Sequence, residues 1–141
     1  MSDSPAPQPV PATVRWAGGL VAFEGAVAVV VAVVLVIRGL LGHDQDAANP
    51  YGTAAWFVIL GGAVLAAGLA LLWGRRWGRA IAVVAQLLLL PVVWALLTDS
   101  HQPVLGVTFA VVVVPALVCL FSAPTSRWMA QEYGGRAPGE Q

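Results

Sequence analysis

Four long apolar stretches, each separated from the next by a short polar turn, leave this chain very few folds to choose from. They run from about Trp16 to Ile37, Ala54 to Trp73, Ala80 to Leu97 and Val104 to Phe121. At helical rise the first spans about 33 Å, enough to cross a bilayer core with a little tilt. Lipid offers no partner to a backbone amide, so each stretch must pair its own amides within itself, and a helix does that. The predicted fold is an all-α membrane protein: four transmembrane helices in an up-down-up-down bundle, with both termini cytoplasmic. Composition fits, since 59% of residues are hydrophobic and 10% are charged, against roughly a quarter charged in soluble domains.

The run Trp73-Gly74-Arg75-Arg76-Trp77-Gly78-Arg79 holds the densest positive charge and joins the second stretch to the third. Arginines flanking a span are retained in the cytoplasm and tryptophans favour the headgroup layer, so this run reads as a cytoplasmic hinge. Arg15, Arg75, Arg76, Arg79, Arg127 and Arg136 then share one side, with Arg38 alone on the other. All seven cationic residues are arginine, and Ala, Val, Leu and Gly dominate the rest. That bias suggests a high-GC bacterial genome, and with it a place in the bacterial cytoplasmic (inner) membrane. An Arg-Trp pair recurs at Arg15-Trp16, Arg76-Trp77 and Arg127-Trp128. Either two tandem hairpins arose by duplication, or these are ordinary interface anchors.

Residues 1–14 form a proline-rich segment expected to be a disordered cytoplasmic tail, and residues 129–141 a disordered C-terminal tail. The transmembrane domain takes residues 15–128. No cleavage is expected near the N-terminus, because the leading charge is the acidic Asp3 and the apolar run is too long for a signal peptide. Within the first span Gly18, Gly19, Ala22, Gly25, Ala26 and Ala28 leave room for a neighbouring helix. In the second, Gly62, Ala66, Ala70 and Gly74 recur at every fourth position and are predicted to form a packing ridge. Pro91 and Pro115 each remove a backbone hydrogen bond and should bend their helices.

Glu24 carries the chemistry most worth weighing. It lies nine positions into the first span from Arg15, about 13 Å at helical rise, where a carboxylate must face the bundle interior, hold a proton, or find a partner. Gln86 lies seven positions in from Arg79, at a similar depth of about 10 Å. Three readings are open: Glu24 exchanges a proton in step with a substrate or partner; it hydrogen-bonds Gln86 and locks the first helix to the third; or it reaches back toward Arg15 or the hinge arginines. Trp73, Arg75, Arg76, Trp77 and Arg79 are contact candidates for anionic lipid or an acidic partner face, or simply set topology.

His43, Asp44 and Asp46 in one outer loop, and Asp99 with His101 in the other, are of ligand type but lack ligand spacing, so no metal site is expected. No cofactor is expected either: both histidines lie outside the spans, which argues against membrane haem ligation, and Cys119 is a single thiol with no CxxC partner. No serine sits inside a span beside a histidine, so the chain reads as a non-enzyme. With zero formal net charge and no basic tract, it is not expected to bind nucleic acid.

The run Gly74-Arg75-Arg76-Trp77-Gly78-Arg79, then Ala85-Gln86, Pro91, Gly106-Val107 and Ala123-Pro124-Thr125-Ser126-Arg127, resembles a group of small four-span membrane proteins of high-GC bacteria. That likeness covers the second half better than the first and implies the threading, not an activity. A looser likeness, in architecture alone, is to the small multidrug resistance transporters, in which an essential acid lies in the first helix, where Glu24 stands here. The proline-rich tail and the arginine asymmetry depart from that group, which typically assembles as antiparallel dimers. The expected function is therefore a non-catalytic accessory or interaction subunit of a membrane complex, held in the bilayer with other membrane subunits or copies of itself. The alternative is a small oligomeric proton-coupled transporter using Glu24.

Overall fold

The computed structural model describes residues 6, 9–42, 50–98 and 103–134, and among them every regular element is a helix. The elements are α1 (Ala12–Leu40), α2 (Pro50–Leu72), α3 (Trp77–Thr98), α4 (Pro103–Phe121) and α5 (Ala123–Gly134). The first four are long and apolar enough to cross a membrane, which makes this a multi-pass membrane protein. Each begins a few residues before, or ends a few residues after, the predicted apolar core, because backbone pairing does not stop where apolar side chains do. Residues 129–134, assigned by sequence to the C-terminal tail, complete α5, and α1 already starts at Ala12. The outer-loop residues His43, Asp44, Asp46, Asp99 and His101 lie outside the described residues, as do Arg136 and, in the N-terminal tail, residues 1–5, 7 and 8.

Around the bundle α1 packs on α2 and α4, and α3 packs on the same two, so α1 and α3 face each other across a diagonal. The α1–α2 seam is much the tightest. A Cβ added to Gly25 would collide with the Leu65 backbone, and one on Gly68 with the Ala22 backbone. A Cβ on Gly18 would lie 2.9 Å from the Gly68 carbonyl oxygen, and one on Gly61 2.7 Å from the Ala28 Cβ. The meeting positions are thus 18, 22, 25 and 28 on α1 and 61, 65, 68 and 72 on α2. Steps of three and four residues hold one side of a helix toward a supercoiled neighbour. With lipid as solvent, close van der Waals contact between such small residues is what holds helices together.

The predicted ridge behaves differently. A strict four-residue step rotates about 40° each time on a 3.6-residue helix, so Gly62, Ala66, Ala70 and Gly74 spiral around α2 instead of forming one face. A Cβ on Gly62 meets nothing within 4 Å and Ala66 is exposed, whereas Ala70 is buried where Gly78 of α3 crosses, 3.1 Å from a Cβ placed there.

Gly74 has another duty. Its φ of +72° ends α2, with the Gly74 amide bonded to the Leu71 carbonyl at 3.0 Å and the Arg75 amide to the Ala70 carbonyl at 2.7 Å. This pair of bonds is the Schellman arrangement, which needs a left-handed residue and so favours glycine. The chain is thereby turned sharply into α3, within the arginine run.

Buried side chains concentrate at the hinge end: Val14, Ala17 and Val21 from α1, Leu71 from α2, Ala82 from α3, Ala116 and Leu120 from α4, and Trp128 from α5. Among the described residues the opposite end contributes fewer, among them Ala32, Ala54, Val93 and Gly106. The outward faces are rimmed by Trp56, Trp94 and a continuous cover of Val, Leu and Ile, as a lipid-facing surface requires.

Candidate functional site

Two groupings of polar side chains stand out. The first lies inside the bundle. Glu24 and Gln86 project from the diagonal pair α1 and α3, and the Gln86 Nε2 donates a hydrogen bond to Glu24 Oε2. Diagonal helices are too far apart for small side chains to meet, so two long polar side chains, placed at matched depth, are what can join them through the centre. Gln86 is fully buried, and its neighbours on the same face of α3, Gly78 and Ala82, are small enough to bring that face inward. Glu24 is partly buried, one turn from Val21 and next to Gly25, which belong to the tight α1 face.

The pair is not fully satisfied. Glu24 Oε1 and Gln86 Oε1 are both buried and have no hydrogen-bond partner among the described residues. Two acceptor oxygens in a low-dielectric interior are a costly arrangement unless one of them carries a proton or both meet a donor. Chemically, the site offers a place for one proton or one small cation, with a carboxylate to take the charge and an amide to orient it. The described residues hold no group of three or more His, Cys, Asp or Glu side chains able to grip a metal ion.

The second grouping is at the hinge end, where the sequence-selected residues divide. Trp73, Arg75 and Trp77 are exposed. Arg79 turns inward: its Nε and Nη2 both donate to the Leu120 carbonyl, at 3.3 and 3.1 Å. That carbonyl belongs to the last turn of α4, where carbonyls lack helical partners, so Arg79 caps α4 from the neighbouring helix. Its guanidinium also lies 5.9 Å from the centre of the Phe121 ring. The Arg76 guanidinium lies 4.9 Å from the centre of the Trp128 ring. Phe121 was not singled out in the sequence, and Trp128 entered only through the recurring Arg-Trp pair, for which a duplication and ordinary interface anchoring both stayed open.

The α4–α5 junction is closed by hydroxyls. Ser122 Oγ and Thr125 Oγ1 each donate to the Cys119 carbonyl at 2.8 Å. With its proton committed there, Thr125 Oγ1 accepts from Thr13 Oγ1 at 2.9 Å, which ties the start of α1 to α5. Val10 reaches Gly74, where an added Cβ would sit 2.8 Å from its Cγ2. The start of α1, the hinge and α5 therefore form one end of the molecule, carrying Arg15, Arg75, Arg76, Arg79 and Arg127, while Arg38 is in the last turn of α1 at the other. Cys119 packs at the edge of this core as a free thiol. Comparison with protein-family models, with characterised proteins and with solved structures finds no match to this chain.

Proposed function

We propose that this protein is a non-catalytic accessory or interaction subunit of a membrane complex, seated in a bacterial cytoplasmic membrane with its arginine-rich end and both termini in the cytoplasm. The observation that carries this reading is the division of small residues on α2. Gly61 and Gly68 are consumed by α1, whereas Gly62 and Ala66 face outward, with open space beside Gly62. Close approach at small residues is the main way apolar helices associate in lipid, so an unused small surface on a lipid-facing helix suits a transmembrane helix of another chain. The orientation rests on the arginine asymmetry between the two ends.

Native mass spectrometry of the tagged protein, extracted gently from its host membrane, tests the reading. A second polypeptide at fixed stoichiometry, lost on Gly62→Leu or Ala66→Leu while the bundle melts as before, supports it. Purely monomeric wild-type protein overturns it.

A second reading is favoured by one specific observation, the two orphaned oxygens at Glu24 and Gln86. It makes the protein a small proton-coupled transporter in which Glu24 is the proton site, working as an oligomer because four helices enclose little space for a substrate path. Homo-oligomers alone in the same mass spectra, with proton release abolished by Glu24→Gln when substrates are added, favour this reading over the first.

A further inference from the structure

A recess of about 570 Å³ opens on the side of the bundle at its arginine-rich end, lined by residues of α3, α4 and α5 and the turn before α3. Its lining is mixed in chemistry. Arg76 and Arg79 stand at the start of α3, Val83 and Val84 follow about one turn further along the same helix, and Phe121, beside the Arg79 guanidinium, and Met129 come from α4 and α5. α3 begins at Trp77 and α4 ends at Phe121, so the recess straddles the level at which both candidate spans leave the apolar region.

The arginines are held in place rather than swinging in solvent. Arg79 spends its Nε–Nη2 edge on the Leu120 carbonyl, which points its Nη1 edge away from that carbonyl. Arg76 is stacked against Trp128, itself buried in the hinge-end core. An arginine fixed by a helix end or an aromatic ring loses less side-chain freedom on taking a ligand. A planar guanidinium also matches phosphate oxygens in a way that a flexible ammonium does not. The exposed Phe121 and Trp77 sit at the depth where aromatic rings favour headgroups.

We propose that this recess is a binding site for one anionic phospholipid of the adjoining leaflet. Its headgroup phosphate sits between Arg76 and Arg79, and one acyl chain lies along Val83, Val84 and Phe121. An amphiphile is specified because the basic end continues directly into an apolar wall. A free phosphate would use the first and leave the second empty. The assignment is independent of the partner and transporter readings, since it draws on neither α2 nor Glu24.

The test uses the full chain in a neutral detergent, with dioleoyl-phosphatidylglycerol or dioleoyl-phosphatidylcholine added and lipid retention read by native mass spectrometry. One phosphatidylglycerol per chain is expected, retained in preference to phosphatidylcholine. R76Q together with R79Q should weaken retention by roughly thirtyfold, since each arginine near a lipid surface contributes on the order of a fivefold gain. Arg79 also caps α4, so a separate variant guards against simple loss of fold. Val84→Trp fills the apolar wall from an exposed position and should displace the lipid while both arginines stay, and R76K with R79K should retain part of the selectivity. Equal retention of the two lipids, or no effect of Val84→Trp, would overturn the proposal. So would displacement of phosphatidylglycerol by inorganic phosphate at comparable concentration, which would assign the basic end to a soluble anion.

Discussion

At the scale of single residues, Glu24 and Gln86 make one hydrogen bond and leave two buried oxygens unpartnered, so the two side chains differ in what their removal does. Gln86→Leu strands the carboxyl group of Glu24 and should lower stability by about 1–3 kcal/mol, the cost of a buried polar group without its partner. Glu24→Gln keeps a group of the same shape that both donates and accepts, and should melt within about 0.5 kcal/mol of wild type. Glu24→Leu should fall between them. Melting curves in one detergent separate the three, and wild-type stability for both leucine variants would mean that the pair does not lock α1 to α3. A second residue effect is at Gly74. Alanine there meets a left-handed backbone, costing about 1–2 kcal/mol, and also runs into the Val10 side chain 2.8 Å away. Gly74→Ala should therefore destabilise the hinge end while Gly19→Ala, where a Cβ meets nothing within 4 Å, should not. The matched depth of Glu24 and Gln86 was legible in the sequence by counting from Arg15 and Arg79. Their hydrogen bond was one of three readings the sequence left open, because depth alone says nothing about which helices face each other, and the structure shows that bond across the diagonal.

Between elements, the seam of α1 with α2 is where the fold is most sensitive. Gly68→Val places a branched side chain against the Ala22 backbone, and Gly25→Val does the same against Leu65. Either should force the helices apart and cost upwards of about 2 kcal/mol, since the clash is with backbone that cannot rotate away. Gly62→Val lies one position from Gly61 yet should leave the melting temperature of the isolated chain unchanged. Intrachain cysteine crosslinking between α1 and α2, in a Cys119→Ala background, checks the separation directly. The small-residue character of both helices was plain from composition, but the choice between Gly61 and Gly62 was not. A four-residue row looks continuous on paper, and only the crossing of two real helices shows that it winds off the interface. The α5 helix was missed for a related reason: the sequence places residues 129–141 in a disordered tail, and only the carbonyl of Cys119, positioned by α4, turns the Ser122 and Thr125 hydroxyls into a junction from which a helix continues.

For the whole molecule, the two ends differ in charge and in packing. The hinge end is basic and well buried; among the described residues the far end holds Arg38 and fewer buried side chains. The arginine asymmetry predicts that a cysteine placed at Asp46, in a Cys119→Ala background, reacts with a membrane-impermeant maleimide from outside intact cells, while one at Arg75 reacts only after permeabilisation. The reverse pattern would invert the whole threading.

The sequence by itself determined that four helices cross a membrane, where each begins and ends to within a few residues, and which loops carry the charge. The reason is that lipid imposes those features on each segment separately: an apolar length, an internally paired backbone and arginines kept to one side. Tertiary structure alone decided which small residues touch, that the Glu24 carboxylate meets Gln86, and that Arg76 and Arg79 rest on Trp128, Phe121 and the Leu120 carbonyl. Those contacts depend on how the helices are rotated and ordered around the bundle. The bilayer is indifferent to that choice, and side-chain packing makes it.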